Sequence, residues 1–207
     1  MKQSITTELA RPALGAILLN KANLSQSRFK DSRLDIPESE PRSINFFSQE
    51  VREGFKSGSI PNLEIACYNL INTFTANNYP FKATQFLPIL DSIQLTSVEI
   101  NQFLQNPVKK NVLVQNDLIK IVLIHWPSNA FAPIHGHPIG GCVFKVLAGS
   151  FMETRYSSNE DRKPLSKSKF MKGAMAYIDD TMALHAIENP FKKPAVSLHI
   201  YTPGIRF

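Results

Sequence analysis

Cysteine is scarce in this chain: Cys67 and Cys142 are the only two in 207 residues. That excludes a disulfide-dense scaffold and makes a reducing compartment the simpler setting. Glycine is sparse too, at nine residues, so collagen-like and glycine-rich low-complexity chains are excluded. Long apolar runs are missing. The longest early one, Ala13 to Leu19, is too short to cross a bilayer. It follows Glu8 and Arg11 and lacks a clear cleavage site, so a secretory signal is not expected. Neither sign of charge dominates: 23 Lys and Arg against 17 Asp and Glu leave +6. No basic block with interleaved aromatics accompanies that excess, so no nucleic-acid partner is expected.

What is present is a globular composition, 43% hydrophobic and 19% charged, at the size of one domain or one domain with an extension. Fourteen Pro and fourteen Phe lean toward a β-rich core broken by turns. The five histidines all lie in the second half, as His125, His135, His137, His185 and His199.

Residues 1–42 read as a loosely ordered N-terminal extension, with one short helix near 7–19. A polar, Pro-containing linker follows at 35–43. Helices are expected over 43–106. Ile44, Phe47, Val51 and Phe55 recur at helical spacing. Pro61-Asn62 opens a second helix, with Ile65, Tyr68, Leu70, Ile71 and Phe74 on or near its apolar side. One or two more occupy 83–105, where Thr96 and Glu99 form a capping box. At about residue 108 the pattern changes to short β-branched or alternating runs separated by turn residues. These are Val112–Val114, Leu118–His125, Cys142–Leu147, Phe151–Tyr156, Met175–Ile178 and Ala195–Tyr201. A small β barrel over 108–207 preceded by helices is the expected architecture, with 43–207 as one domain.

The chemistry begins at His135-Gly136-His137. Residues two apart on a strand share a face, so an H-x-H pair can present two imidazoles to one metal. His185, in a separate short β-like segment, supplies a third. His135-x-His137-x4-Cys142-x6-Gly149 resembles the first cupin motif, with cysteine in place of its glutamate and without its leading glycine. Gly173, His185 and Asn189 resemble the second. The likeness implies a mainly β cupin, a double-stranded β-helix or small jelly-roll barrel, holding a metal. Three neutral imidazoles do not by themselves choose among Fe, Zn, Cu and Ni. A second constellation lies in Ser197-Leu198-His199-Ile200-Tyr201, where a hydroxyl, an imidazole and a phenol alternate with apolar residues. Turned into a barrel, that polar face needs partners.

Five separated segments in order resemble the cysteine dioxygenase family: 125–127, 133–137, 142–149, 184–189 and 194–201. The likeness implies Fe(II) held by His135, His137 and His185. It implies a thioether crosslink between Cys142 and Tyr201, and a relay of Ser197 and His199 that positions the Tyr201 hydroxyl. It implies oxidation of a small thiol by O2 to a sulfinate, with L-cysteine or a related thiol as substrate. Apart from the resemblance, a cytoplasmic monomer with neither membrane nor nucleic-acid partner is expected. Alternatives are a 3-mercaptopropionate-type thiol dioxygenase and a metal-binding cupin sensor without turnover. The family's substrate-binding arginine falls at Lys110, and the tyrosine two residues earlier falls at Val108. Lysine carries the charge without the bidentate fork. Lys110 and Arg155 are therefore the candidate substrate anchors, with Lys145 a third cation; Lys145 and Arg155 also fit solvated surface. His125 is read as structural, Cys67 as helix core, and the Lys-rich stretch 162–172 as a solvated loop and strand edge.

Overall fold

A computed structural model describes residues 60–76, 82–105, 110–115 and 119–202. The expected extension over 1–42, the helix expected at 44–55, Val108 and the turn at 116–117 lie outside the described residues.

Helix α1 (Pro61–Ala76) begins at the expected proline, whose missing N–H is no loss in a first turn. Leu63, Ala66, Cys67 and Leu70 make its buried stripe. Ile65 does not share it and is 57% exposed. Two positions past Leu63 carry it about 200° around the helix. A 3-10 turn, η1 (Ala83–Phe86), runs into α2 (Leu87–Ser92), and α3 (Ser97–Gln105) follows. The capping box forms as expected. Glu99 N–H donates to Thr96 Oγ1 at 3.2 Å, and Thr96 N–H donates to Glu99 Oε2 at 2.9 Å. The same carboxylate accepts from the backbone N–H groups of Asn62 and Leu63, so one buried glutamate closes the first turns of α1 and α3 together. Burial pushes its carboxyl up, but these donors outweigh burial and hold it below the ordinary range.

Among the described residues nine strands follow: β1 (Lys110–Gln115), β2 (Lys120–Trp126), β3 (Phe131–His135), β4 (Cys142–Ala148), β5 (Ser150–Tyr156), β6 (Pro164–Met171), β7 (Met175–Ile178), β8 (Leu184–Glu188) and β9 (Ala195–Tyr201). Two antiparallel sheets form, in the orders β1-β2-β9-β4-β7 and β3-β8-β5-β6. Their inner faces enclose Val122, Ile124, Trp126, Phe144, Phe151 and Phe170. The outer face of the five-stranded sheet packs Ile121, Leu123, Val143, Leu198 and Ile200 against Leu63, Leu70, Phe86 and Leu90 of the helices. A sheet covered on both faces has no solvated side, which is why β2, β4 and β9 read as near-continuous apolar runs. Strand β5 alternates strictly between buried and partly exposed residues. Strand β6 lies at the edge of the smaller sheet, and its lysines point outward. The Lys-rich stretch, read as a solvated loop and strand edge, is thus an edge strand guarded by charge.

Parity assigns the inward residues. On β9 Ala195 belongs to the barrel core and Val196 to the helix-facing core, so Ser197, His199 and Tyr201 point into the barrel. On β4 the same rule sends Cys142 and Phe144 inward and Lys145 outward, under the helices. Lys145 is buried there and donates to Asp91 O at 2.7 Å and Ile93 O at 2.9 Å. It ties the C-terminal end of α2 to the sheet, a favourable place for a cation at a helix C-terminus. It is neither solvated nor near the inward face.

Candidate metal centre

The two sheets contribute different halves of the site. Strand β3 ends at His135, directly opposite His185 on β8, and Arg155 of β5 stands opposite His185 on its other side. His137 lies two residues beyond the end of β3, not on a strand. Its place on the shared face is therefore set by a contact and not by pleat: its backbone N–H donates to the Asp180 carboxylate in the turn after β7. From the other sheet, Cys142 and Tyr201 are cross-strand partners on β4 and β9, with Phe144 opposite His199 and Val146 opposite Ser197.

The imidazoles of His135, His137 and His185 bring one ligand nitrogen each within 4.8 Å of one another. His185 Nε2 lies 3.1 Å from His135 Nε2, both aimed at the same point. His137 and His185 are buried and His135 is half-buried. This donor set fits a divalent transition metal: three neutral nitrogens, an open side toward Tyr201 and a fixed outer shell. No carboxylate joins the cluster among the described residues, because the position of the first cupin motif's glutamate is Cys142.

The outer shell holds a residue the sequence analysis missed. Glu153 on β5 is buried, and its Oε1 lies 2.7 Å from His185 Nδ1. Its Oε2 accepts from Arg155 Nε at 2.8 Å. Burial opposes the charge of Glu153, but His185 and Arg155 hold the carboxyl below the ordinary range. A carboxylate on Nδ1 fixes the ring and leaves Nε2 for a metal. The signal was legible in parity: Glu153 sits two residues after Phe151, an inward core residue. Arg155 also donates to Tyr177 O at 3.0 Å and is buried. It serves Glu153, lines neither cleft at the metal site, and is not solvated.

On the opposite sheet Trp126 Nε1 donates to Ser197 Oγ at 2.8 Å, and Ser197 Oγ lies 2.7 Å from His199 Nε2. Indole can only donate, so Ser197 accepts from Trp126 and has its own proton for His199 Nε2. The other ring nitrogen of His199, Nδ1, lies 3.8 Å from Cys142 Sγ. Burial above all, then the neighbouring His185, His135 and Lys110, pushes the His199 pKa down to about 3. Burial and the Cys142 thiol raise Tyr201 well above the usual phenol value, so its proton stays on. Burial likewise pushes the Cys142 thiol up, and the hydrogen bond to Tyr201 only partly offsets it. Cys67 is a free, buried residue of the α1 core, as expected.

The depressed His199 value has a consequence for stability. The unfolded chain takes up this proton near pH 6.5 and the folded one only near 3. Below 6.5 the unfolded state therefore binds more protons, and stability falls as pH drops through that window. Glu153, whose folded carboxyl titrates below its ordinary value, adds loss of the same sign in the acidic part of the range. The metal-free protein should melt at steadily lower temperature from pH 7 to pH 4. His199→Gln should flatten the slope by about one proton's worth, roughly 1.4 kcal/mol per pH unit. An unchanged slope in the variant would contradict the assignment.

A cleft of about 200 Å³ opens onto the cluster and is lined by Lys110, Trp126, Phe131, His135, His185 and Tyr201 among others. His125 lines it too and is half-buried on β2. An adjoining cleft of about 260 Å³ shares Lys110, Ile124 and Tyr201. Of the expected anchors, Lys110 lines both clefts.

Comparison with known proteins agrees with this geometry. Residues 93–206 match the family model described as cysteine dioxygenase type I. The chain is 25% identical over 169 residues to cysteine dioxygenase type 1 of Danio rerio, covering 79% of this chain and 76% of that one. It is 33% identical over 109 residues to cysteine dioxygenase type 1 of Rattus norvegicus, covering 49% of this chain and 54% of the relative. This second match spans about half the relative's length. Among solved structures, an uncharacterized conserved protein with a double-stranded beta-helix domain from Klebsiella pneumoniae aligns at 15% identity and TM-score 0.42. That alignment covers 52% of this chain and 90% of that one. The two antiparallel sheets with leading helices form the expected β barrel. No helix of the described residues is long and apolar enough to cross a membrane.

Proposed function

The chain belongs to the cysteine dioxygenase family, a family of thiol dioxygenases on the cupin barrel, and from that membership we propose that it oxidises a small anionic thiol to its sulfinic acid with O2, using one Fe(II) held by His135, His137 and His185. The observation that carries this reading is the conjunction of a three-imidazole cluster with Cys142 and Tyr201 facing each other across β4 and β9. The balance is R–S⁻ + O2 → R–SO2⁻: sulfur gives up four electrons, O2 takes them, and both oxygen atoms stay in the product. Iron supplies, when bound, a Lewis-acidic centre that favours thiolate over thiol and passes electrons between sulfur and O2.

This chain's own residues do the rest. Lys110, on the shared wall of the two clefts, meets the anionic end of the substrate as a point charge. The Tyr201 hydroxyl keeps its proton at neutral pH and hydrogen-bonds Cys142 beside the cluster, from where it would turn to donate to developing negative charge. Trp126, Ser197 and His199 hold that wall in one arrangement. Phe144 and Phe151, packed beneath them, keep water out. A thioether joining Cys142 Sγ to the Tyr201 ring would remove two hydrogens, taken up by O2 or an equivalent oxidant. The setting proposed is the cytoplasm, with the protein a monomer. Two free, buried cysteines are compatible with a reducing compartment.

Anaerobic Fe(II) loading followed by O2 uptake and sulfinate detection tests the reading, with L-cysteine and 3-mercaptopropionate as substrates. The expected result is one O2 consumed per sulfinate formed. Absence of thiol-dependent uptake across a thiol panel overturns it. Intact mass after turnover should show a species lighter by two hydrogens, with Cys142 closed to alkylation.

A further inference from the structure

The cleft beside the candidate metal centre carries more positive charge than one carboxylate requires. Lys110 opposes Ile124 across β1 and β2, and Lys120 opposes Tyr201 across β2 and β9. Lys120, Val122 and Ile124 are two apart in turn, so all three side chains leave β2 on the same, barrel-facing side. Cross-strand pairing puts Lys110 on that side too. Both lysines line the 260 Å³ cleft, together with Val112 and Val122 and with Gly136 and Pro138 of the loop that carries His137. Lys110 also lines the inner cleft with His135, His185 and Tyr201, whereas Lys120 lines only the outer one. Among the described residues, no acidic side chain lines either cleft. The charge of Lys110 is felt as far inside as His199. Apolar floor, two cations and no counter-anion define a site for two negative groups, not for one.

We propose that Lys110 and Lys120 together select a thiol bearing two carboxylates, with Lys110 holding the group nearer the sulfur and Lys120 the outer one. The proposal rests on the thiol-dioxygenase reading for its chemistry but on the clefts alone for its selectivity. The step is unchanged: the thiolate of the dicarboxylate takes both atoms of one O2 and leaves as the sulfinate, neither carboxylate reacting. Lysine suits this use, because each flexible ammonium meets one anion as a point charge without the fixed angle of an arginine fork.

The test separates binding from turnover. Metal-free protein is titrated with succinate and with propionate, neither of which has a thiol. Binding is followed by the fluorescence of Trp126, the single tryptophan and a wall of the cleft. Succinate should bind about tenfold tighter than propionate at low salt. That preference should shrink at high ionic strength. Lys120→Gln should reduce it to near unity. Lys163→Gln, at an exposed lysine paired with Asp161 away from the site, should leave it intact. With iron loaded, mercaptosuccinate should show a kcat/KM about tenfold above 3-mercaptopropionate, and Lys120→Gln should lose that ratio chiefly through KM. Equal affinity of the two acids in the unaltered protein overturns the proposal, as does a succinate preference that survives Lys120→Gln. Should no thiol be turned over while the succinate preference holds, the dioxygenase reading fails and the dianion site stands.

Discussion

Glu153→Gln should weaken metal binding by about 10- to 100-fold, although Glu153 is not one of the three clustered imidazoles. The substitution keeps the volume and removes the charge. Glutamine's amide offers one accepting oxygen where the carboxylate offers two. Two donors now compete for it: the Nδ1–H of His185 at 2.7 Å and the Nε–H of Arg155 at 2.8 Å. Whichever loses faces an NH2 group or nothing. If His185 loses, its ring is free to turn, and the nitrogen that should face the metal is no longer fixed. In either case the buried Arg155 cation loses the negative charge of Glu153 beside it. Breaking a buried pair from one side costs about 3–5 kcal/mol, which lowers the melting temperature of a chain this size by roughly 6–20 °C. The second effect can be separated from the first. Glu153→Gln combined with Arg155→Leu removes the stranded cation and should recover much of the stability, but not the metal affinity. Thermal melts of the metal-free proteins and anaerobic Fe(II) titrations read the two quantities independently. A double variant that regained wild-type affinity would show that Glu153 acts through the fold and not through His185.

Parity could place Glu153 inside the barrel, but its contact with His185 on another strand had to be seen in three dimensions, and there sequence reasoning stops. The site's own residues were legible because their chemistry is rare and their spacing local: H-x-H, the cysteine at the glutamate position, and three polar residues alternating on the last strand. The barrel was legible because short β-branched runs between turn residues have few other solutions. What failed was the inference from residue type to environment. Arg155 and Lys145 look like surface cations, since long charged side chains usually are. In the fold Arg155 is inward by the parity of β5 and satisfied by Glu153, while Lys145 lies outward by the parity of β4, under helices whose carbonyls take its three protons' worth of donors in part. Parity alone cannot reveal that an outward face is covered. That depends on which sheet face the helices choose, a tertiary fact. The reasoning that put His135 and His137 on one strand face reached the right convergence by a wrong route. The strand ends at His135, and it is Asp180, 43 residues on, that holds His137 in place.

The same dependence on distant contacts makes Gly140→Ala the second large effect expected. Gly140 needs no unusual backbone angle; its constraint is space. A Cβ there would lie 2.1 Å from Thr202 O and 2.5 Å from Thr202 Oγ1. Backbone cannot yield as a flexible side-chain tip can. The neighbouring bonds close off escape: Ala83 N donates to Gly140 O at 2.9 Å, and Thr202 N donates to Gly141 O at 3.1 Å. These contacts clamp the end of β9 against the start of β4, and the clamp sets Cys142 opposite Tyr201. The methyl must push the two apart. The expected cost is about 3 kcal/mol, at the upper end for overpacking, or roughly 6–12 °C in melting temperature. Gly173→Ala serves as the comparison. Its φ of +88° strains any L side chain, but nothing lies within 4 Å of the added Cβ. It should cost about 1–2 kcal/mol and leave the site alone. Native-state alkylation distinguishes the two. Cys142 is fully buried and should resist the reagent in the unaltered protein and in Gly173→Ala, but react in Gly140→Ala. Protection of Cys142 in Gly140→Ala, with an unchanged melting temperature, would mean that the register of β4 on β9 does not depend on this glycine.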